Sequence, residues 1–279
     1  MTSISCGVFL CLWATLVGAQ VLVKPPAVPN RVLADLKSSN PDLRRKAADQ
    51  IGSLRARAAA RSLIIALSDK DAGVREAAGF ALGQLTEPTA AGPLIKLLQD
   101  PDAEVRASTA FALGMIGDRK SEDAVSNALD DSEAGVRSAA VIALALIEDP
   151  ESFDELVEML NDSSFDVRYD VVWALGYLGE PEAAPHLRAA LVNLDLIRVD
   201  ERSREAFRQA VQNAVENLRF GETSRDGAAA RPRRVGPTEL QAAARVTRPA
   251  AIRQSVQPVS TERATRSRAR GSVSLRVLR

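Results

Sequence analysis

The stretch from Asp71 to Leu85 reads DAGVREAAGFALGQL, and 31 residues later Asp102 to Ile116 reads DAEVRASTAFALGMI. The Val-Arg pair inside this stretch belongs to a longer series: Leu43-Arg44, Val74-Arg75, Val105-Arg106, Val136-Arg137, Val167-Arg168 and, after a wider gap, Phe207-Arg208. Self-similarity at a fixed period of this size is typical of stacked supersecondary units. The sequence therefore predicts a solenoid in which neighbouring units bury each other's apolar faces.

Each unit has the pattern of a helical hairpin. In the second unit, Val74, Ala78, Ala81, Leu82 and Leu85 recur at the spacing of one face of an α-helix. A shorter apolar stretch precedes every such helix, and an acidic turn joins the two. Residues three before the Val or Leu of the repeat are good helix N-caps and should bind the first free backbone amides: Asn40, Asp71, Asp102 and Ser164.

The order of these features resembles the HEAT-like repeats of the phycobilisome-lyase type, most clearly at Phe80–Leu85 and Phe111–Ile116. The resemblance covers residues 28–220. It implies an all-α fold, a right-handed α-α superhelix of about six helical hairpins. The sixth unit departs from the pattern, because Glu216 replaces a glycine and nine extra residues precede its Arg. We expect the insertion at about Val192 to Arg202, where it would lengthen the last hairpin or its loop.

The arginines of the repeat have acidic counterparts in register. Within this family such residues look like hydrogen-bonded ladders that tie adjacent hairpins together. The alternatives are a basic ladder for phosphates or a calcium site in the acidic turns, but paired charges are poor ligand sites and the turns lack the spacing of a calcium loop. The predicted structural ladder consists of Arg44, Arg75, Arg106, Arg137, Arg168 and Arg208 with Asp69, Asp100, Asp131 and Asp162.

A second set of side chains lies away from the apolar face of each second helix. Because the second helices of HEAT-like solenoids line the concave surface, the resemblance implies an apolar groove suited to a peptide or an amphipathic helix. The alternative is that the same side chains pack against the next hairpin. This predicted partner-binding set, the apolar stripe, consists of Phe80, Phe111, Met115, Ile142, Leu146, Tyr169, Trp173 and Tyr177.

Signals of catalysis are missing from the sequence. His186 is the single histidine, and no glycine-rich phosphate loop, nucleophile elbow or zinc-protease motif occurs. We therefore predict no catalytic residues, no metal site and no cofactor, and a non-enzymatic scaffold or adaptor that binds a protein or peptide. Taken literally, the resemblance implies instead a bilin lyase-like enzyme or a chaperone acting on a chromophore protein.

The N-terminal residues are typical of an export signal. An apolar run ends in Val17-Gly18-Ala19, small residues that suit a signal peptidase. We predict a signal peptide at 1–19, a short linker at 20–27, and an exported protein, periplasmic or secreted. If the segment is not cleaved, the chain is a membrane-anchored assembly factor instead.

The last part of the chain differs from the rest in charge. Residues 221–279 contain 13 arginines and four acidic residues, whereas residues 1–220 contain 23 Lys+Arg and 32 Asp+Glu. Helical periodicity stops there and aromatic residues are absent, which predicts a disordered basic tail. The tail could contact a polyanion or the cell envelope, fold back onto the acidic body, or remain solvated without a specific partner. The lack of aromatic residues argues against specific nucleic-acid recognition.

Overall fold

The structure, a computed structural model, describes residues 28–148, 150–194 and 199–222. The predicted signal peptide, the linker at 20–27 and the basic tail beyond residue 222 lie outside the described residues. Within them the chain forms twelve α-helices and no β-strand. None of these helices combines the length and apolar character needed to cross a membrane.

The helices form six consecutive hairpins, each made of a first and a second helix. The first helices are α1 (Asn30–Asp35), α3 (Ala60–Ala66), α5 (Ala91–Leu97), α7 (Glu122–Ser126), α9 (Phe153–Glu158) and α11 (Ala183–Leu194). The second helices are α2 (Pro41–Ser53), α4 (Ala72–Leu85), α6 (Ala103–Ile116), α8 (Ala134–Ile147), α10 (Phe165–Leu178) and α12 (Glu201–Glu222). The prediction of an all-α solenoid of about six hairpins is confirmed.

Three of the four predicted N-cap side chains bind backbone amides at the starts of the second helices. Asn40 accepts a hydrogen bond from the amide of Asp42 at 2.9 Å, and Asp71 accepts one from Val74 at 3.1 Å. Asp102 caps α6 in the same way. Ser164 stands at the N-cap of α10, but its side chain accepts no amide there, so that prediction is wrong. The Ser164 amide instead donates to Asp162 of the same turn.

Glycine allows the second helices to pack closely. A Cβ atom added to Gly83 would lie 2.8 Å from the Cα of Ala112, and one added to Gly114 would lie 2.5 Å from the Cα of Ala143. Real Cβ atoms do not approach other carbons so closely. The second helices therefore form one layer of closely spaced backbones, which brings equivalent side chains of successive units side by side.

The core continues along the row and has no single centre. Leu63, Leu94 and Leu156 of the first helices are fully buried, as are their counterparts Leu82 and Leu113 of the second helices. Each hairpin contacts the hairpins before and after it. Stability in such a fold is approximately a sum of terms from hairpins and from their shared interfaces.

The insertion lengthens the last hairpin, as predicted. Helix α11 continues to Leu194, and α12 begins six residues before Phe207, whereas α4 begins two residues before Val74. Phe207 anchors α12 on α10, with ring centroids 5.5 Å from Phe165 and 6.5 Å from Tyr169.

Candidate functional site

Four Arg–Asp pairs join successive hairpins along one edge of the row. In each pair the guanidinium donates two hydrogen bonds, of 2.7 to 2.9 Å, to both oxygens of a carboxylate 25 residues later. Such bidentate bonds between charged groups are both strong and geometrically specific. The pairs are Arg44–Asp69, Arg75–Asp100, Arg106–Asp131 and Arg137–Asp162.

The pairs are linked to one another through the acidic turns. The carboxylate of Asp100 binds Arg75 and also accepts the amide of Asp102 at 3.0 Å. Its backbone carbonyl accepts a bond of 2.9 Å from Arg106, the arginine of its own hairpin. Asp69, Asp100 and Asp131 each bind the Arg six residues later through their backbone carbonyl, and each pairs its carboxylate with an Arg of the preceding hairpin. Each of the four pairs therefore connects two adjacent hairpins.

The ladder lowers the pKa of its carboxyl groups. For Asp69 and Asp131 the largest cause is the hydrogen bond from Arg44 or Arg106, which outweighs burial. For Asp100 the largest single cause is burial, which raises the pKa. The hydrogen bonds from the Arg75 guanidinium and a backbone amide together lower the pKa by more than burial raises it. The same balance holds at Asp162.

Two predicted members of the ladder stand outside it. The residue 25 positions after Arg168 is Asn193, not Asp, and burial lowers the pKa of Arg168. Within the described part of the chain, the guanidinium of Arg168 forms no ion pair and lies 6.0 Å from the ring centroid of Phe165. Arg208 lies 3.3 Å from Glu201 and 3.5 Å from Glu205, both on its own helix. The inter-hairpin pairing predicted for Arg168 is wrong, because the repeat supplies no carboxylate at that position, whereas Arg208 pairs with carboxylates of its own helix.

We expect the ladder to make the fold sensitive to acid. A carboxyl whose pKa is lowered by folding stabilises the native state above its unfolded pKa of about 4, and this stabilisation is lost as pH falls through the folded value. Urea unfolding at pH 7 and pH 3 should show a large loss of stability in acid. The double substitution Arg106→Met with Asp131→Leu should reduce the loss, whereas an equal loss in both proteins would refute the ladder as its source.

The apolar stripe lies along the layer of second helices. Phe111 and Ile142 are 6% and 5% exposed, whereas the other six side chains are half-buried. The rings of Phe80 and Phe111, from adjacent hairpins, are stacked with centroids 6.2 Å apart. The stripe therefore combines contacts between neighbouring helices with apolar surface that solvent or a partner can reach.

Helix α10 supplies the aromatic end of the stripe. The rings of Trp173 and Tyr177 stack with centroids 5.3 Å apart and planes 17° apart. The hydroxyl of Tyr177 lies 3.4 Å from a carboxylate oxygen of Glu148, in the turn after α8. Tyr169 contacts Phe207 of α12. Aromatic rings held in this way lose little conformational entropy when they bind a partner.

Sequence reasoning missed a buried polar contact between α8 and α10. The hydroxyl of Ser138 donates to the carboxylate of Asp170, and the two residues are 3% and 9% exposed. The preceding units have Ala107 and Ala139 at the equivalent positions, but other units have polar residues there, such as Glu76 and Ser108. The repeat pattern therefore gave no signal for this contact, which depends on how α8 and α10 pack.

Residues of the types that bind metals are scattered among the described residues. No group of three or more His, Cys, Asp or Glu residues in the described ranges could hold a metal ion. His186 is exposed on α11. A groove of about 330 Å³ lies beside the acidic turns, but Asp100, Arg106 and Asp131 in its wall already bind one another or their neighbours.

Solved structures that are similar to this chain have low sequence identity to it. An engineered protein is 20% identical over 68% of this chain and 96% of its own, with a TM-score of 0.50. A designed armadillo repeat protein in complex with the peptide (KR)4 is 22% identical over 67% and 98%, with a TM-score of 0.48. The complex of CpcE and CpcF of phycocyanin lyase from Nostoc sp. PCC7120 is 22% identical over 71% and 97%, with a TM-score of 0.41. The likeness to the engineered protein shows the fold alone.

A search of curated proteins gave no match. The family model for HEAT repeats matches three overlapping segments, 30–114, 91–164 and 123–208, which together span more than half of the chain. The chain therefore belongs to the HEAT-repeat family.

Proposed function

We propose that this protein is a non-enzymatic scaffold or adaptor that holds a peptide segment of a partner protein on the apolar stripe. The observation that carries the proposal is the half-buried aromatic group of Tyr169, Trp173 and Tyr177 on one helix. Aromatic side chains in a partly desolvated, rigid setting are the residues that most often dominate binding energy at interfaces.

The layer of second helices favours a peptide over a small molecule. Equivalent side chains of four successive hairpins, Phe80, Phe111, Ile142 and Trp173, follow one another across the layer. A long, shallow apolar surface of this kind suits an extended or helical segment, which can place several side chains along it. We include export of the mature protein in the proposal, on the apolar run and small residues before Gln20.

We expect the aromatic end to account for much of the binding free energy. Random-peptide phage selection on the full chain should give peptides whose affinity, measured by fluorescence anisotropy, falls at least tenfold with Trp173→Ala or Tyr177→Ala. Loss of one buried aromatic contact costs on the order of 2 kcal/mol at an interface hot spot.

The matched control is Ile65→Ala on α3, one of the first helices, where the side chain is 72% exposed. It should leave peptide affinity unchanged. Circular dichroism and thermal melting must show that the Tyr177→Ala chain is folded at the assay temperature. Equal peptide affinity for Tyr177→Ala and Ile65→Ala, with both folded, would place the binding surface elsewhere.

A further inference from the structure

Acidic residues are concentrated in the hairpins that carry most of the apolar stripe. Residues 100–182 contain 20 Asp+Glu and five Lys+Arg, a net charge of −15. Residues 28–99 contain seven acidic and 11 basic residues, a net charge of +4. The negative charge of the solenoid is therefore a property of its middle hairpins.

Much of this negative charge faces solvent. Ten acidic side chains of 100–182 are exposed in the described structure, against two exposed basic ones, Arg119 and Lys120. The ladder does not neutralise these carboxylates, because it uses Asp100, Asp131 and Asp162 with three arginines. A surface with so few compensating cations attracts a basic segment.

Acidic residues stand at both ends of the three second helices that form the centre of the stripe. Glu104, Glu133 and Asp166 lie at the starts of α6, α8 and α10, and Asp118, Glu148 and Glu180 follow their ends. A helix of 14 residues is about 21 Å long. A segment that lies along the stripe, across the middle of these helices, would therefore be about 10 Å from the acidic residues at either end, the acidic rims. This distance is roughly the screening length at physiological salt.

The chain itself contains a segment of complementary charge. Residues 223–279, the basic segment, contain 13 arginines and three acidic residues, a net charge of +10. Arg266, Arg268 and Arg270 alternate with small residues, and Val273, Leu275 and Val277 follow at alternate positions. Such a sequence can pair cations with the acidic rims and place apolar side chains on the stripe.

Chain length allows this contact. Helix α12 packs directly on α10 through Phe207, and 43 residues separate Glu222 from Arg266. A chain of that length can span at most about 140 Å when extended. The second helices of all six hairpins are therefore within reach of Arg266, Arg268 and Arg270.

We propose that the basic segment of the same chain occupies the apolar stripe of α6, α8 and α10 and competes there with the external peptide. This inference rests on the proposed function, since both use one surface. The basic segment acts as an internal ligand, so a partner binds at a reduced apparent affinity that falls with the fraction of chains in which the stripe is free.

A photo-crosslinker in the full chain tests the contact. We replace Tyr177 by the aromatic crosslinker p-benzoylphenylalanine and, as the matched control, Ile65 on the first-helix layer. After irradiation of the monomer, mass spectrometry should find crosslinks from position 177 to the basic segment at a yield at least tenfold above position 65. Mixing isotope-labelled with unlabelled chains identifies crosslinks between copies.

Two results would overturn the inference: no crosslink from position 177 to residues 223–279, or crosslinks only between copies. As a second measurement, the substitutions Arg266→Gln, Arg268→Gln and Arg270→Gln together should lower the crosslink yield at least threefold. They should also raise the affinity of a phage-selected peptide at least threefold, and an unchanged affinity would refute the competition.

Failure of this inference can be told apart from failure of the proposed function. If position 177 does not reach the basic segment but selected peptides still bind and depend on Tyr177, the stripe binds external partners only. If no selected peptide depends on Trp173 or Tyr177 in either the native chain or the triple arginine variant, the proposed function itself is wrong.

Discussion

Replacing Gly114 by alanine should lower the free energy of unfolding by about 3 kcal/mol, the upper part of the range for overpacking a close contact. The new Cβ atom would lie 2.5 Å from the Cα of Ala143 and 2.9 Å from its Cβ, so α6 and α8 must move apart. Both helices are central in the row, and their separation weakens contacts on either side. Urea unfolding followed by circular dichroism measures the change.

The matched control is Gly92→Ala in α5. No atom lies within 4 Å of the position its Cβ would take, so the substitution should be neutral or stabilise the protein by up to about 1 kcal/mol through helix propensity. A loss of stability below about 0.5 kcal/mol for Gly114→Ala would show that the second helices are not packed as closely as the structure describes.

Breaking one Arg–Asp pair of the ladder should have the second large effect on the free energy of unfolding. We expect Arg106→Ala and Asp131→Ala each to lower the free energy of unfolding by about 2 kcal/mol, because each leaves a mostly buried charged partner without its bidentate bonds. The double variant should lose less than the sum, which gives a coupling energy of about 1.5 kcal/mol from the double-mutant cycle.

The exposed pair Asp42 and Arg45 provides the control cycle. Its atoms are 3.6 Å apart on one helix, and its side chains are 70% and 38% exposed. Such a surface pair should show a coupling energy below about 0.5 kcal/mol. Equal coupling energies for the two cycles would mean that the ladder contributes no more than ordinary surface charges.

The repeat pattern predicted the hairpins because it encodes contacts inside each unit. Val74, Ala78, Leu82 and Leu85 must share one helix face for the unit to bury them, so their spacing indicates the helix and its orientation. The sixth hairpin was also predictable, since Phe207, Val211 and Leu218 keep the same spacing after the insertion.

Contacts between units were harder to predict from the sequence. Arg106 has Asp100 six residues before it, but its carboxylate partner is Asp131, 25 residues after it, on the next hairpin. That register depends on how far and at what angle the hairpins are stacked, which no single unit encodes. The close contacts of Gly83 with Ala112 and of Gly114 with Ala143 were equally hard to predict, because they form between helices of adjacent units.

The apolar stripe shows the same difference between contacts inside a unit and contacts between units. The spacing of Tyr169, Trp173 and Tyr177 placed them together on one side of α10, and the structure stacks the last two. The burial of Phe111 and Ile142 depends instead on the distance between α6, α8 and α10. Sequence spacing therefore indicated which residues share a face, while the packing of the helices determined how much of each remains exposed.

The position of a bound peptide tests the central claim most directly. A phage-selected peptide that carries a photo-crosslinker, irradiated with the full chain, should form adducts on the second helices at or beside Met115, Leu146 and Tyr177. Mapping the adducts by mass spectrometry decides the matter. Adducts confined to the first helices, such as α3 or α5, would contradict the account, because they would place the binding surface on the opposite layer of the solenoid.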